Sequence, residues 1–442
     1  MTEAEQHYQK MTQTPVPKLI LNLGIPTIIS MLITNIYNMA DTYFVGTLGE
    51  SAQAATGILF TVQAILQGFA FMLGHGSGTF VSGALAEKNT DEATRYISSA
   101  FFLGGFIGLM ITVFGLIFLE PLALFLGSTQ TILPHAKAYG TWILLAAPFF
   151  ISSMILNNCL RYEGKAFYAM IGLTTGGILN ILGDYLLVMR FGLGVYGAGL
   201  ATAASQVVSF SILLVLYLKM AQSTIRLRSV SRDIRLYLSV ARMGFPALIR
   251  QGLASVTSGV MNNLTKPFGD AAIAAMSVVS RYSNFLMCVG LGIGQGFQPV
   301  ASFNYRAKMV DRVKQGLIFI TVFGLAFIGA MSILSMVFAE SVITIFQKQE
   351  DVVRIGAAAL RYAAFGMLFM PISTPVNMLY QSIQKPTISS VLSLIRSGGV
   401  TIPVMLLCVP LLGLTGIQIA QPAADLVAGV ISIPFIIRFL RE

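Results

Sequence analysis

Apolar stretches of about 20 residues recur from one end of this chain to the other, the length an α-helix needs to cross a hydrocarbon layer of about 30 Å. They fall near 19–44, 54–82, 97–119, 133–158, 167–189, 196–218, 236–262, 273–298, 315–338, 355–382, 388–410 and 414–437. Lipid offers backbone N–H and C=O groups no partners, so each stretch is expected to be a helix. Pro26, Pro148, Pro246, Pro371, Pro375 and Pro403 fall inside these stretches, where neighbouring helices can re-satisfy the freed backbone. Charged residues make up 10% of the chain, against roughly 25% in soluble proteins. The sequence therefore predicts an all-α integral membrane protein with about twelve transmembrane helices.

The net charge of +10 does not point to nucleic acid, because the basic residues sit in short connections between apolar runs. Topology accounts for them: with both termini cytoplasmic, most Lys and Arg fall on the cytoplasmic side of a multi-pass cell-membrane protein. The opening MTEAEQHYQK is polar and acidic, unlike a signal peptide. The longest polar connection begins at Lys219 and carries Arg226, Arg228, Arg232, Arg235 and Arg242. It separates an N-lobe over 1–218 from a C-lobe over 236–442, with 219–235 as a basic cytoplasmic connector.

The two lobes read as copies. LGIPTIIS opens the first span and MGFPALIR the seventh, so Gly24 and Pro26 map onto Gly244 and Pro246. The same offset carries Gly49 onto Gly269, Gly74 and Gly76 onto Gly294 and Gly296, Asp91 onto Asp311, and Glu120 onto Glu340. Six spans is an even number, so both copies enter from the same side. They form parallel repeats related by an axis along the membrane normal, as in rocking transporters.

Within NILGDYLL, Asp184 stands in an otherwise apolar helix. A carboxylate in hydrocarbon costs at least ~2.5 kcal/mol, so it must face a bundle interior or a water-filled cavity. Asn180 lies four residues earlier on the same helical face. Thr202 on the sixth span, and Tyr37, Asn38 and Asp41 near the end of the first, are expected at similar depth. Asp41, Asn180, Asp184 and Thr202 offer hard oxygen ligands suited to Na⁺, and two neighbouring carboxylates can instead hold a proton. The alternative is that Asn180 and Asp184 only hydrogen-bond adjoining helices. In the C-lobe, Arg250 on the seventh span and Asp425 on the twelfth are expected to face the lobe interior, as a pair.

The two six-span halves, YNMADTYFVG closing the first span and NILGDYLL in the fifth resemble the multidrug and toxic compound extrusion family over essentially the whole chain. The similarity is greatest to the branch of bacterial multidrug exporters and DNA-damage-inducible relatives. The resemblance implies a V-shaped pair of lobes around a central cavity, and export of cationic amphipathic compounds in exchange for H⁺ or Na⁺. It also implies an N-lobe cation site at Asp41, Asn180, Asp184 and Thr202, with Tyr37 and Tyr139 nearby; Asn157 matches a further position, at a depth toward the cytoplasmic side. The seventh and tenth spans carry no carboxylate, unlike other branches, which concentrates coupling on the N-lobe.

Other signals have plainer readings. GLGIGQG (290–296) lies in an apolar helix with no strand before it, and GHGSG (74–78) sits in the second span, so both read as helix-packing glycines. Cys159, Cys288 and Cys408 are far apart and fit neither a metal site nor a disulfide framework. No phosphate-binding loop, Ser-His-Asp set or metal-ligand spacing appears, which excludes an ATP-driven pump or an enzyme of those classes. No cofactor is expected beyond the coupling ion. The expected partners are lipid and small cationic or amphipathic molecules, and the chain is expected to act as a monomer. A lipid-linked-precursor flippase of the same superfamily is the alternative function.

Overall fold

The computed structural model describes residues 3–442, which are helical throughout with no strand among them. A short helix α1 (Glu3–Gln13) leads into α2 (Val16–Gly46), α3 (Glu50–Ala86), α4 (Thr90–Ile117), the short α5 (Leu119–Phe125) and α6 (Leu133–Tyr162). There follow α7 (Ala166–Asp184), a π-helical turn over Tyr185–Arg190, and α8 (Gly194–Met220). The second half repeats this order with α9 (Ile234–Thr265), α10 (Asp270–Arg306), α11 (Val310–Val337), the short α12 (Ala339–Phe346), α13 (Glu350–Met367) and α14 (Met370–Ser382). It closes with α15 (Pro386–Leu394), a π-helical turn over Ile395–Gly399, α16 (Thr401–Leu412) and α17 (Leu414–Arg441).

The duplication reaches backbone detail. Gly49 and Gly269 precede α3 and α10 with φ of +114° and +87°, which glycine adopts without steric cost. Lys88 and Lys308 both take left-handed φ, at 59° and 61°, as do Gly164 and Gln384, at 72° and 61°. Asn157 donates to the Ala169 carbonyl at 2.9 Å, and its counterpart Asn377 donates to the Ser389 carbonyl at 2.8 Å. Asn89 caps α4 by accepting from the Glu92 N–H at 3.0 Å and donating back to the Glu92 carboxylate at 3.1 Å.

Among the described residues, ten helical runs are long and apolar enough to cross a membrane, and the bent pair α13–α14 makes an eleventh. That pair bends by 48° where Pro371 opens α14, a residue that cannot continue the preceding hydrogen-bond ladder. The expected twelfth, α9, has 32 residues and ample length, but Arg242, Arg250, Gln251, Asn262 and Asn263 leave it too polar to meet the same standard. The count by length and composition is therefore ten or eleven instead of about twelve. In α4 the most apolar window has a mean hydropathy of 2.3, yet only 22% of it is buried within the protein. Apolar side chains turned outward on that scale need lipid as their solvent.

The chain divides into two compact units, and the division does not fall at the connector. The first comprises the chain up to Thr14 with Ile25–Gly244; the second comprises Pro15–Gly24 with Phe245–Glu442. Of the three breaks, those after Gly24 and Gly244 lie just ahead of the repeated prolines, Pro26 and Pro246. Glycines hold the exchanged helix ends in place. In the second unit a Cβ on Gly296 would stand 2.5 Å from the Gly24 nitrogen. In the first, a Cβ on Gly244 would stand 1.7 Å from the Met72 carbonyl oxygen, and one on Gly76 2.1 Å from that of Val240. Such backbone-to-backbone crossings are how helices associate in lipid.

The connector belongs to the first unit. The Thr224, Arg226 and Ser231 N–H groups donate to the hydroxyls of Thr94, Ser98 and Ser99 on α4, at 3.2, 3.0 and 2.9 Å. Buried Glu163, between α6 and α7, accepts from the Gln222 N–H at 2.6 Å, from the Tyr217 hydroxyl at 2.9 Å and from the Ser223 hydroxyl. The basic run expected to stand between lobes is thus tied to one of them by its backbone.

Candidate cation site in the first unit

Helix α7 carries glycines where its neighbours press closest. A Cβ on Gly172 would stand 2.3 Å from Leu213 of α8, on Gly176 2.8 Å from Ser209, and on Gly183 2.9 Å from Ala201. One on Gly177 would stand 3.0 Å from the Tyr37 ring of α2. Gly199 of α8 does the same for α6, where its Cβ would stand 3.2 Å from the Tyr139 backbone. These contacts draw α2, α6, α7 and α8 together around the last turns of α7. The π-helical turn begins immediately beyond Asp184, a distortion that often accompanies functional sites.

Asp41, Tyr139, Asn180, Asp184 and Thr202 come from these four helices. The Tyr139 hydroxyl donates to Asp41 Oδ2 at 2.9 Å, and Asn180 Nδ2 donates to Thr202 Oγ1 at 3.1 Å. Thr202 is also a hydrogen-bond neighbour of Tyr139, and Asp184 lies close enough to Asp41 that their charges act on each other. Asp184 is fully buried. Asp41 Oδ1, both Asp184 carboxylate oxygens and Asn180 Oδ1 are buried with no hydrogen-bond partner among the described residues. Neither carboxylate has an ion-pair partner among them. Four buried acceptor oxygens without a donor, two of them on one carboxylate, suit a proton or a hard monovalent cation. An adjoining cavity of about 20 Å³ is lined by Thr34, Tyr37, Asn180, Thr202, Ser205 and Gln206, a space for about one water-sized species.

The structure sorts the sequence candidates. Tyr37 faces this cavity, and Tyr139 bonds directly to Asp41. Asn38 is rotated off the Tyr37–Asp41 face of α2 and is not among these contacts. Asn157 ties α6 to Ala169, fifteen residues before Asp184, or ~22 Å along the helix. Gln206, a hydrogen-bond neighbour of Tyr37, was not singled out from the sequence; its signal is its place one turn after Thr202 on α8. Both glycine motifs serve packing: Gly74 and Gly78 lie against Asn158 and Tyr162, and Gly290 and Gly294 against Met370 and Met378.

In the second unit, Asp425 pairs with Arg396 and not with Arg250: Arg396 Nε donates to Asp425 Oδ1 at 2.8 Å. Arg396 lies in the π-helical turn, and its side chain reaches Asp425 on α17. It is the only charge in its apolar run, a signal equal to that of Asp184. Among the described residues no group of three or more His, Cys, Asp or Glu side chains is placed to hold a metal ion.

This architecture, a duplicated bundle of long apolar helices with a buried polar set in one unit, defines a multi-pass membrane transporter. The chain belongs to the MatE family, whose model matches residues 26–186 and 246–407. It is 27% identical to the multidrug export protein MepA of Staphylococcus saprophyticus over 436 residues, covering 97% of this chain and 95% of that protein. It is 27% identical to MepA of Staphylococcus aureus MSSA476 over 411 residues, covering 92% and 90%. In fold it matches an outward-facing multidrug resistance MATE transporter of the MOP superfamily with a TM-score of 0.91 and 23% identity, over 100% of both chains.

Proposed function

We propose that the protein is a secondary antiporter that exports cationic amphipathic compounds in exchange for H⁺ or Na⁺ by alternating access, from a cell membrane with both termini cytoplasmic. The observation that carries this reading is the set of unpartnered oxygens on Asp41, Asn180 and Asp184 in a buried site without a basic residue. Ionised, the pair attracts a cationic cargo; neutralised by the incoming ion, it releases that cargo. Competition for one charge balance couples the two fluxes. A monovalent cation moving inward through 100 mV gains ~2.3 kcal/mol, and its concentration gradient adds to that. The MepA relatives are named as multidrug exporters, which supports the cargo class.

Reconstituted vesicles preloaded with a fluorescent cationic dye test this, with pH and Na⁺ gradients imposed separately. Dye movement driven by one gradient, and abolished by its collapse, is the expected result and names the ion. Dye movement indifferent to both gradients would remove the antiport reading.

A further inference from the structure

The stretch from Lys219 to Arg242, which spans the connector between α8 and α9, carries six basic residues and one acid. Arg226, Arg228, Arg232 and Arg235 are all exposed, and none of them enters an ion pair among the described residues. The acid, Asp233, is engaged with backbone: its Oδ1 accepts from the Arg235 N–H at 2.9 Å, in the manner of an N-cap on α9. Apolar side chains turned outward alternate with the arginines. Leu227 is 72% exposed, Ile234 66% and Leu238 62%. Ile234 and Leu238 lie one turn apart on the same face of α9, whereas Leu236 and Val240 are buried.

A loose loop does not account for that exposure, because the connector is bonded along its length. Besides its three N–H bonds to α4, Arg95 of α4 donates to Ser231 Oγ at 2.8 Å, Ser98 Oγ to the Thr224 carbonyl at 3.3 Å, and the Tyr237 hydroxyl to the Ser231 carbonyl at 2.6 Å. The turn over Leu227–Ser229 packs on α4, whose most apolar window has the smallest buried share of the long helices in this unit, 22%. The connector therefore borders lipid, at the end of a lipid-facing helix, with Leu227 held outward between two arginines. Guanidiniums match phosphate oxygens in charge and geometry, and apolar side chains at that level find the acyl-chain ends. A soluble anion would satisfy the arginines and leave Leu227, Ile234 and Leu238 in water. We propose that the connector is a binding surface for the headgroups of anionic phospholipids, with Arg226, Arg228, Arg232 and Arg235 on the phosphates and the three apolar side chains inserted beside them. It fastens the first unit to the leaflet next to α4. The surface stands on its own contacts and does not depend on the cation reading.

The test is thermal unfolding of the purified full-length protein in neutral detergent, titrated at constant ionic strength with dioctanoyl phosphatidylglycerol, dioctanoyl phosphatidylcholine, glycerophosphate or oligoglutamate. A saturable rise in melting temperature with phosphatidylglycerol alone is expected. Arg228→Gln and Arg232→Gln should each weaken the apparent affinity about fivefold, the usual gain of one basic side chain at an anionic surface. Leu227→Ser, which leaves every charge in place, should weaken it severalfold. Arg354→Gln, at an exposed arginine of α13, should leave it unchanged. Hydrogen exchange over residues 226–238 of the unaltered protein should be slower in phosphatidylglycerol nanodiscs than in phosphatidylcholine ones, a readout that needs no variant. Equal shifts with phosphatidylcholine, or a phosphatidylglycerol effect untouched by both arginine variants and by Leu227→Ser, would overturn the surface. An equal response to glycerophosphate would assign the arginines to a soluble phosphate, and a response to oligoglutamate in place of the lipid would assign them to an acidic protein; either result overturns the lipid assignment.

Discussion

The Tyr139 hydroxyl donates to Asp41 Oδ2 at 2.9 Å, which ties the second turn of α6 to the carboxylate on α2. Helix α6 is the most enclosed of the long helices, with 78% of its most apolar window buried, and it packs on α3, α4, α7 and α8. The bond therefore fixes Asp41 against the stiffest element of its unit. A hydrogen bond to a charged group contributes about 1.5–3 kcal/mol, roughly tenfold or more in an equilibrium. Tyr139→Phe is expected to lower gradient-driven dye efflux about tenfold and to lower the melting temperature modestly, while the protein still folds and inserts. Vesicle efflux and a thermal melt on the same preparation check both halves.

Asp184→Asn should insert and fold normally, because a neutral amide is cheaper to bury than a carboxylate. Gradient-driven efflux should nevertheless be lost. Asp41→Asn should be impaired to a similar extent and Thr202→Ala less, since Thr202 carries no charge and acts through its 3.1 Å bond from Asn180 and its contact with Tyr139. Expression-matched efflux assays rank the three. Near-normal coupled export by Asp184→Asn would make the carboxylate a structural group.

Helix α1 should undock in acid. His7 is buried beside Gly164, and Lys88 lies over the Tyr8 ring at 5.1 Å. Burial first, then the charges of Lys165 and Lys10, push the His7 imidazole down from 6.5 to about 4. Between these values the undocked helix binds a proton that the docked one refuses. The docking stability is thus fully present above pH 6.5 and is lost as pH falls toward about 4, by on the order of 3 kcal/mol. Hydrogen exchange over residues 3–13 should accelerate across that window, and His7→Phe should abolish the dependence.

Glu163 acts with the opposite sign. Burial pushes its carboxyl above the ordinary value of 4.5, against the hydrogen bonds from Ser223, Gln222 and Tyr217. A carboxyl that is harder to ionise when folded contributes stability below 4.5 that declines as pH rises through its raised value. Glu163→Gln should flatten that decline in melts run from acid to neutral pH. Glu163→Ala should be worse at every pH, since each buried donor it strands costs about 1–3 kcal/mol.

Gly244→Ala should destabilise the first unit, because backbone atoms of Met72 occupy the space its Cβ needs and cannot rotate away. Gly259→Ala on the same helix meets nothing within 4 Å and should be neutral or stabilising, by up to about 1 kcal/mol from helix propensity. Thermal melts of the two variants side by side give the contrast.

The helical class, the approximate number of spans, the duplication and most polar residues of the site were legible in the sequence because each is a local or periodic property. Hydropathy registers a span within its own 20 residues, and a constant offset registers a repeat without any contact being known. Asp184 was conspicuous for the same reason: charge in an apolar run is costly wherever the run ends up. What the sequence could not carry was partnership across helices. Asp425 has two candidate arginines in apolar spans, and only the packing of the helices decides that Arg396 receives it. The basic connector looked like a free link, because its charges are visible in sequence and its backbone hydrogen bonds to Thr94, Ser98 and Ser99 are not. Likewise Gly24 and Gly244 announced themselves as a repeated pair. That they mark the points where α2 and α9 pass from one unit to the other depends on which backbone each glycine lies against, and that is a property of the packed bundle alone.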